Sequence, residues 1–396
     1  MKSVLGLISF AFAMICVLSA PAIAYETDQY TVPPAPLKDL GPSMSAHIYD
    51  YLTEAIHDHK TTMETLPSEI LIAETKIKEF EKLHARDRIQ DPVRNKAPEY
   101  IRKNYARLQQ KHRELVNQYN SLQTQIGFID FFRKKFYPNL VWQEQRDAVF
   151  GWDLSLFDEE ENRDALFDPG KMGNIYSYAN FHRLISPTYF VFSSTMNAYG
   201  HYFGTDKIGH FFAQGFQYYA KQQEMLYKGR SIEVGHILAI DVGTTGESGY
   251  FGKVADGVYS NADLATNYSG FKFYQNIFHE VNIGNRTLPP MVLVRADRTL
   301  MINPELRREE ILAPFISDHF NEAFNPSDLE APQRWVITKA IRNRCESFLR
   351  FYGNPTQAEL KQKRLELSKF YGEEYGYKAE GTLHLDQICF TAEKSQ

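Results

Sequence analysis

Between Ile101 and Ile129 the apolar positions advance by alternate steps of four and three: Ile101, Tyr105, Leu108, His112, Leu115, Tyr119, Leu122, Ile126 and Ile129. This is a heptad seam, interrupted in character only by His112. With Pro98 suited to the first turn, the spacing predicts one helix over 98–136, roughly 58 Å long at 1.5 Å per residue. A helix of that length has to lay its seam on a partner. Ile70, Ala73, Ile77 and Phe80, following Ser68 as a cap, repeat at helical spacing and supply one. Residues 43–137 therefore read as an antiparallel helical hairpin, coiled-coil-like in pattern. Self-association through the 101–129 seam is the rival use of the same surface. His112 reads as a polar residue tolerated in that seam rather than as a switch.

Upstream, Pro33, Pro34 and Pro36 mark residues 25–42 as an extended leader. Downstream, residues 138–185 lose periodicity and carry Trp142, Trp152 and the acidic run Asp158–Glu161. They read as a long ordered connection. From 186 to 396 the pattern is again helical, with helices expected at 206–228, 231–246, 261–280, 307–323, 333–352 and 356–371. A β-hairpin is expected at Met291–Val294 and Leu300–Ile302, turning at Ala296-Asp297. The fold class is thus mainly α: a long N-terminal helical hairpin plus a multi-helix domain with at most one small β-hairpin.

The first 24 residues change the picture from fold to compartment. Lys2, the apolar stretch Val4–Leu18 and Ala22-Ile23-Ala24 form the three parts of a cleavable secretory signal, with cleavage expected before Tyr25. Cys16 raises a lipoprotein alternative, but Ile15 stands where a small residue should precede the cysteine. The expected location is periplasmic or secreted, in the cell envelope. No later segment holds about 18 uninterrupted apolar residues, so no transmembrane span is expected after cleavage. Without residues 1–24 the chain holds 43 basic and 49 acidic residues, which argues against nucleic acid as a partner. Cys345 and Cys389 are then the two remaining cysteines, and in an exported chain they point to a disulfide pinning the C-terminal tail; free buried thiols are the alternative.

Three segments of the second half place polar residues inside apolar helices. In Gly204-Thr205-Asp206-Lys207-Ile208-Gly209-His210, Thr205 is placed to cap, and Asp206 and His210, four apart, share a face. Glu247 stands between glycines in Gly246-Glu247-Ser248-Gly249. In Ser260-Asn261-Ala262-Asp263-Leu264-Ala265-Thr266-Asn267-Tyr268-Ser269-Gly270, Ser260 or Asn261 caps, Asp263 and Asn267 share a face, and Gly270 permits close helix approach. Asp-Lys-x-x-His-Phe, then a Glu between glycines, then Ser-x-x-Asp-Leu-x-x-Asn-x-x-Gly, taken in that order, resembles the core of VanZ-like and YfiM-type envelope proteins, over residues 204–270 only. The matching positions are Asp206, Lys207, His210, Glu247, Asp263, Asn267 and Gly270. The resemblance implies an envelope role and a clustered polar site, and it brings no reaction with it. It also has a limit: VanZ-like proteins span membranes several times, whereas Lys221, Gln222, Gln223 and Glu224 keep these helices out of lipid.

Three readings of the constellation stay open. In the first, Asp206, His210, Glu247 and Asp263 are catalytic, with Lys207 and Asn267 as binding residues. Packed carboxylates raise one another's pKa, as a general acid requires, and the enzyme would be a hydrolase of cell-wall glycan or another envelope polymer. In the second, Asp206 and His210 with a further acid hold a divalent metal, although no His-Glu-x-x-His pair is present and no particular cofactor is indicated. In the third, the residues form a buried hydrogen-bonded network that fixes helix packing, Lys207 neutralising Asp206 or Asp263 and Asn267 satisfying helix ends. The protein would then be a non-catalytic envelope-assembly or interaction protein whose helical hairpin binds a partner. Gly243–Gly249 lacks both the Lys-Ser/Thr ending of a phosphate loop and a full Gly-x-Ser-x-Gly elbow.

Overall fold

The apolar seams resolve into helices in a computed structural model that describes residues 25–84, 99–136, 165–178, 191–249 and 257–390. Residues 1–24, read above as a signal, and most of the 138–185 connection, with Trp142, Trp152 and Asp158–Glu161, lie outside the described residues. The architecture is mainly α, as the periodicity predicts; among the described residues the strands form only two-stranded pairs, three of them hairpins where at most one was expected. The chain divides into two units, Ile48–Pro138 with Pro290–Leu306, and the remainder.

The smaller unit holds the helical hairpin. Helix α1 (Gly41–Leu83, whose residues up to His47 count with the other unit) runs antiparallel to α2 (Glu99–Leu122). His59 Nε2 meets the Leu122 carbonyl at 2.9 Å, His112 Nε2 meets Glu74 at 3.3 Å, and the Tyr105 hydroxyl donates to Glu81. Leu66, Ala73, Leu115 and Leu122 form the buried seam, with Met63, Ile70, Tyr119 and Phe131 packed on it. Two expectations need correction. The first helix does not start at Ser68: its stripe begins at Met44 and continues through Pro67, and the Ser68 hydroxyl donates to the Thr65 carbonyl at 2.7 Å instead of capping. Nor is 98–136 one helix. Thr124 accepts from the Gly127 N–H at 3.0 Å and so caps a separate helix α3 (Gln125–Phe136). At Gly127 a Cβ would fall 1.9 Å from the Ser121 carbonyl, so the tight corner depends on glycine. The expected hairpin, Val292–Val294 with Leu300–Ile302, is present and clusters with this unit rather than with the rest of 186–396.

The larger unit is built around a helix without an exposed face. Helix α4 (Asp206–Gly209) passes through a π-turn (His210–Gln214) into α5 (Gly215–Tyr227), followed by α6 (Ile232–Ser248) and α7 (Asn261–Asn276). Every residue of α7 except Gln275 is buried, which is the signature of a helix surrounded by protein. It crosses the α4–α5 segment at two glycines. A Cβ on Gly270 would fall 1.9 Å from the Phe211 carbonyl oxygen, and one on Gly215 would fall 2.7 Å from Gly270 Cα. Close approach at Gly270 is therefore realised as the sequence implies.

Residues 307–323, expected as a helix, are a run of turns ending in a short 3-10 segment, Asp318–Phe320. Pro314 supplies no N–H for a helical ladder there. The 333–352 helix is two, α8 (Ala331–Arg342) and α9 (Cys345–Phe351), and α10 (Gln357–Leu367) starts at a Thr356–Glu359 capping box. Cys345 and Cys389 are bonded, their Cα atoms 5.4 Å apart, against the core of Phe324, Ile341, Phe348 and Leu360. The leader is extended, as expected, and it is also interior: Tyr25–Glu26 pairs in parallel with Val191–Phe192, and Thr27, Asp28, Gln29 and Tyr30 are all buried.

Candidate functional site

The ammonium of Lys207 is the centre of the polar constellation. Fully buried, it lies 2.7 Å from Asp206 Oδ2, 2.6 Å from Asp263 Oδ1 and 2.6 Å from Glu322 Oε1. The contacts to Asp206 and Glu322 are aligned hydrogen bonds, and the one to Asp263 is ionic without that alignment. Helix α4 delivers Asp206 and Lys207, α7 delivers Asp263, and the irregular 307–323 run delivers Glu322. Thr27 of the leader donates to Asp206 Oδ1 at 2.8 Å, and the Tyr176 hydroxyl meets Glu322 Oε2 at 3.1 Å.

Three carboxylates about one cation cannot all be charged in a dry interior without cost. Burial alone would pull the Lys207 pKa down, but Asp206, Asp263 and Glu322 outweigh it and hold the ammonium well above its ordinary value. Burial likewise raises Asp263, yet His210 and Lys207 prevail and keep it charged below the usual aspartate range. Glu322 takes the remaining strain. Burial, aided by Asp206 and Asp263 against the pull of Lys207, pushes it up to about 8, so near neutral pH it carries a proton.

His210 opens the π-turn, and its wide turn brings the ring over α7. Nε2 lies 3.3 Å from Asp263 Oδ2 and Nδ1 lies 3.1 Å from the Asn267 side-chain amide, which also bonds Gln214 at 2.7 Å. Both ring nitrogens are thus engaged by the protein. Asn267 is a link between His210 and Gln214. Ser260 does cap α7, accepting from the Asp263 N–H at 3.1 Å. Thr205 stands at the start of α4 but its buried hydroxyl makes no capping bond.

Asp206, Lys207, His210, Asp263 and Asn267 are therefore brought together as the sequence suggests. Glu247 is not a fourth carboxylate on Lys207 among the described contacts. It is buried and accepts from the Ser260 N–H at 3.2 Å, at the positive end of α7. The Gly243–Gly249 stretch around it is helical up to Ser248, not a loop.

Glu322 and Thr27 were not foreseen. Glu322 is a lone acid in the aromatic run His319-Phe320-Asn321-Glu322-Ala323-Phe324, and that isolation is the one signal it offers. Asp206, His210 and Asp263 bring ligand atoms within 4.8 Å of one another, a spacing a divalent ion accepts. Lys207 nevertheless places a buried positive charge directly on both aspartates. The carboxylates already have their cation.

Comparison of the chain with family models, with curated proteins and with solved structures gave no match in any of the three.

Proposed function

We propose that this chain is an exported cell-envelope protein that works by binding rather than by catalysis. Its polar constellation serves as an internal frame, and the α1–α2 hairpin serves as its partner-binding arm. The observation that carries the reading is the closure of the site: Lys207 is spent on three acidic side chains, and His210 has both nitrogens committed to Asp263 and Asn267. A general base needs one nitrogen facing its substrate. The disulfide supports an oxidising compartment. Kinship with VanZ-like and YfiM-type proteins belongs to the same reading and rests on Asp206, Lys207, His210, Asp263, Asn267 and Gly270 converging in one interior region.

The arm itself offers Leu71 and Ile72, exposed by 63% and 54%, on a helix whose inner seam is already filled. Self-association through the 101–129 seam would require the hairpin to open. Photo-crosslinking side chains placed at Leu71 and at Ile72 in producing cells should each yield a discrete adduct, absent when the probe sits on buried Leu115. No adduct at either position, from a protein that is monomeric in solution, would refute the arm.

The hydrolase reading keeps one observation in its favour, the His210–Asp263 pair with the ring partly exposed. Turnover of a cell-wall glycan that vanishes in His210→Ala, with the fold retained, would restore it.

A further inference from the structure

Helix α8 packs one side on the core and turns the other to a cleft walled by cations. Ile337, Ala340 and Ile341 are buried in the cluster that holds Phe348 and Leu360. On the outer side Arg334, Thr338 and Arg342 follow at a spacing of four, and Trp335, Lys339 and Asn343 form the row beside them. These side chains line a cleft of about 630 Å³, and among the described residues no acid lines it. Arg334 is held in place: its Nη2 donates to the Leu329 carbonyl at 2.8 Å and lies 4.0 Å from buried Asp328. Lys339 and Arg342 are exposed and make no ion pair among the described residues. The acids nearest in sequence do not neutralise them. Glu346 is committed to Arg350, and Glu330 precedes the first turn of α8, at the end away from Lys339 and Arg342. A helix dipole accounts for cations in a last turn. It does not account for the indole beside them, since Trp335 is 72% exposed.

We propose that the outer side of α8 binds an acidic glycan, a sugar chain bearing carboxylate or phosphate groups. Lys339 and Arg342 meet the anionic groups, and the Trp335 ring lies against a sugar face. Charge selects the anion: the face is locally positive in a chain of net charge −5. The Arg342 guanidinium matches a carboxylate or phosphate with two parallel N–H donors. The neutral groups select the sugar. Asn343 offers an amide that can donate and accept, and Thr338, whose hydroxyl donates to the Arg334 carbonyl at 2.7 Å, is left to accept. Between them they suit ring hydroxyls, while the apolar indole face covers the C–H side of a sugar ring. A bilayer would call for a broad apolar face, and Trp335 is the one large apolar side chain lining the cleft among the described residues. This inference does not depend on the hairpin being a binding arm.

The test is affinity electrophoresis of the purified protein through gels containing polygalacturonate, with neutral dextran as the control. Wild type should be retarded by polygalacturonate and pass dextran freely. The double variant Lys339→Gln/Arg342→Gln should bind about tenfold more weakly, the loss expected for hydrogen bonds to charged groups. Trp335→Ala should bind severalfold more weakly, and Trp335→Phe should recover most of that loss. All of these side chains are exposed, so each variant should keep the wild-type melting temperature. Wild type that runs unretarded, or a double variant that binds equally well, overturns the proposal. So does Trp335→Ala binding as wild type does, because charge alone would then suffice. Stronger capture of oligothymidylate or of phosphatidylglycerol vesicles, abolished by the same variants, overturns it too; the face then belongs to a nucleic acid or to a bilayer.

Discussion

Lys207 and Glu322, 115 residues apart in the chain, meet at 2.6 Å in the interior, and the pair determines how the cluster distributes its charge. Because the lysine is also bound to Asp206 and Asp263, removing it strands two buried negative charges at once. Lys207→Met should cost about 3–5 kcal/mol, the range for breaking a buried ion pair from one side. Urea unfolding at pH 7 measures it. A loss under about 1 kcal/mol would mean that the cluster is not a frame.

Glu322 should behave as a neutral acid. Its folded pKa of about 8 lies above the ordinary value of 4.5, so its contribution is fully present below about pH 4.5 and is lost as pH rises through about 8. Glu322→Gln should therefore be tolerated at pH 7, within about 1 kcal/mol, whereas Asp263→Asn, which removes a charge that Lys207 and His210 both use, should cost about 3 kcal/mol. Stability measured from pH 5 to 8.5 should decline less steeply in Glu322→Gln than in wild type. Identical slopes would assign the proton elsewhere.

At lower pH the sign reverses. His319 is buried, with Nδ1 2.9 Å from the Ser317 hydroxyl and Nε2 3.0 Å from the Lys369 carbonyl, an arrangement suited to the neutral ring. Burial brings its pKa down to about 4. Stability is thus present above the ordinary value of 6.5 and lost as pH falls through about 4, and His384, also near 4, adds to the loss. His319→Asn should lower stability at pH 7 and flatten its decline between pH 6.5 and 4. A variant that tracks wild type in parallel would exclude His319 as a source of the acid sensitivity.

Gly270→Ala should destabilise by about 1–3 kcal/mol, because its Cβ would land 1.9 Å from the Phe211 carbonyl oxygen and the helices cannot separate without moving Asp263 and Asn267 from His210. Thermal melting reads the loss directly. An unchanged melting temperature would show that the crossing is loose.

Reduction of Cys345–Cys389 releases a loop with a sequence separation of 44, worth roughly 4 kcal/mol in the chain-entropy picture. Cys345→Ala/Cys389→Ala should lose up to that amount, and wild type should match it in reductant. Equal stability of the bonded and reduced forms would contradict this.

What the sequence made legible follows from periodicity. The hairpin seam around Leu115 and Leu122 repeats strictly, so its partner and direction could be read. The corner at Thr124 escaped because Ile126 and Ile129 continue the heptad step past it. Helix α7 was visible from its cap at Ser260, but burial on all sides left no stripe to announce its central position. Tyr199-Gly200 and Gly284-Asn285, the two-residue turns of two further hairpins, went unread. In the site, residues four apart on one helix were paired correctly. Glu322 and Thr27 reach Lys207 only through tertiary folding, and no local spacing encodes that.

The leader has a consequence for the order in which this protein can be finished. Thr27 binds Asp206, Gln29 accepts from the Glu322 N–H at 2.9 Å, and the Tyr30 hydroxyl donates to the Leu383 carbonyl at 3.2 Å. A chain made from its N-terminus produces those partners progressively later, the last of them 353 residues beyond Tyr30. Residues 27–30 therefore cannot complete these contacts until the chain has reached Leu383. The long loops they close are of the kind that makes folding slow. Residues made early are here among the last to find their place.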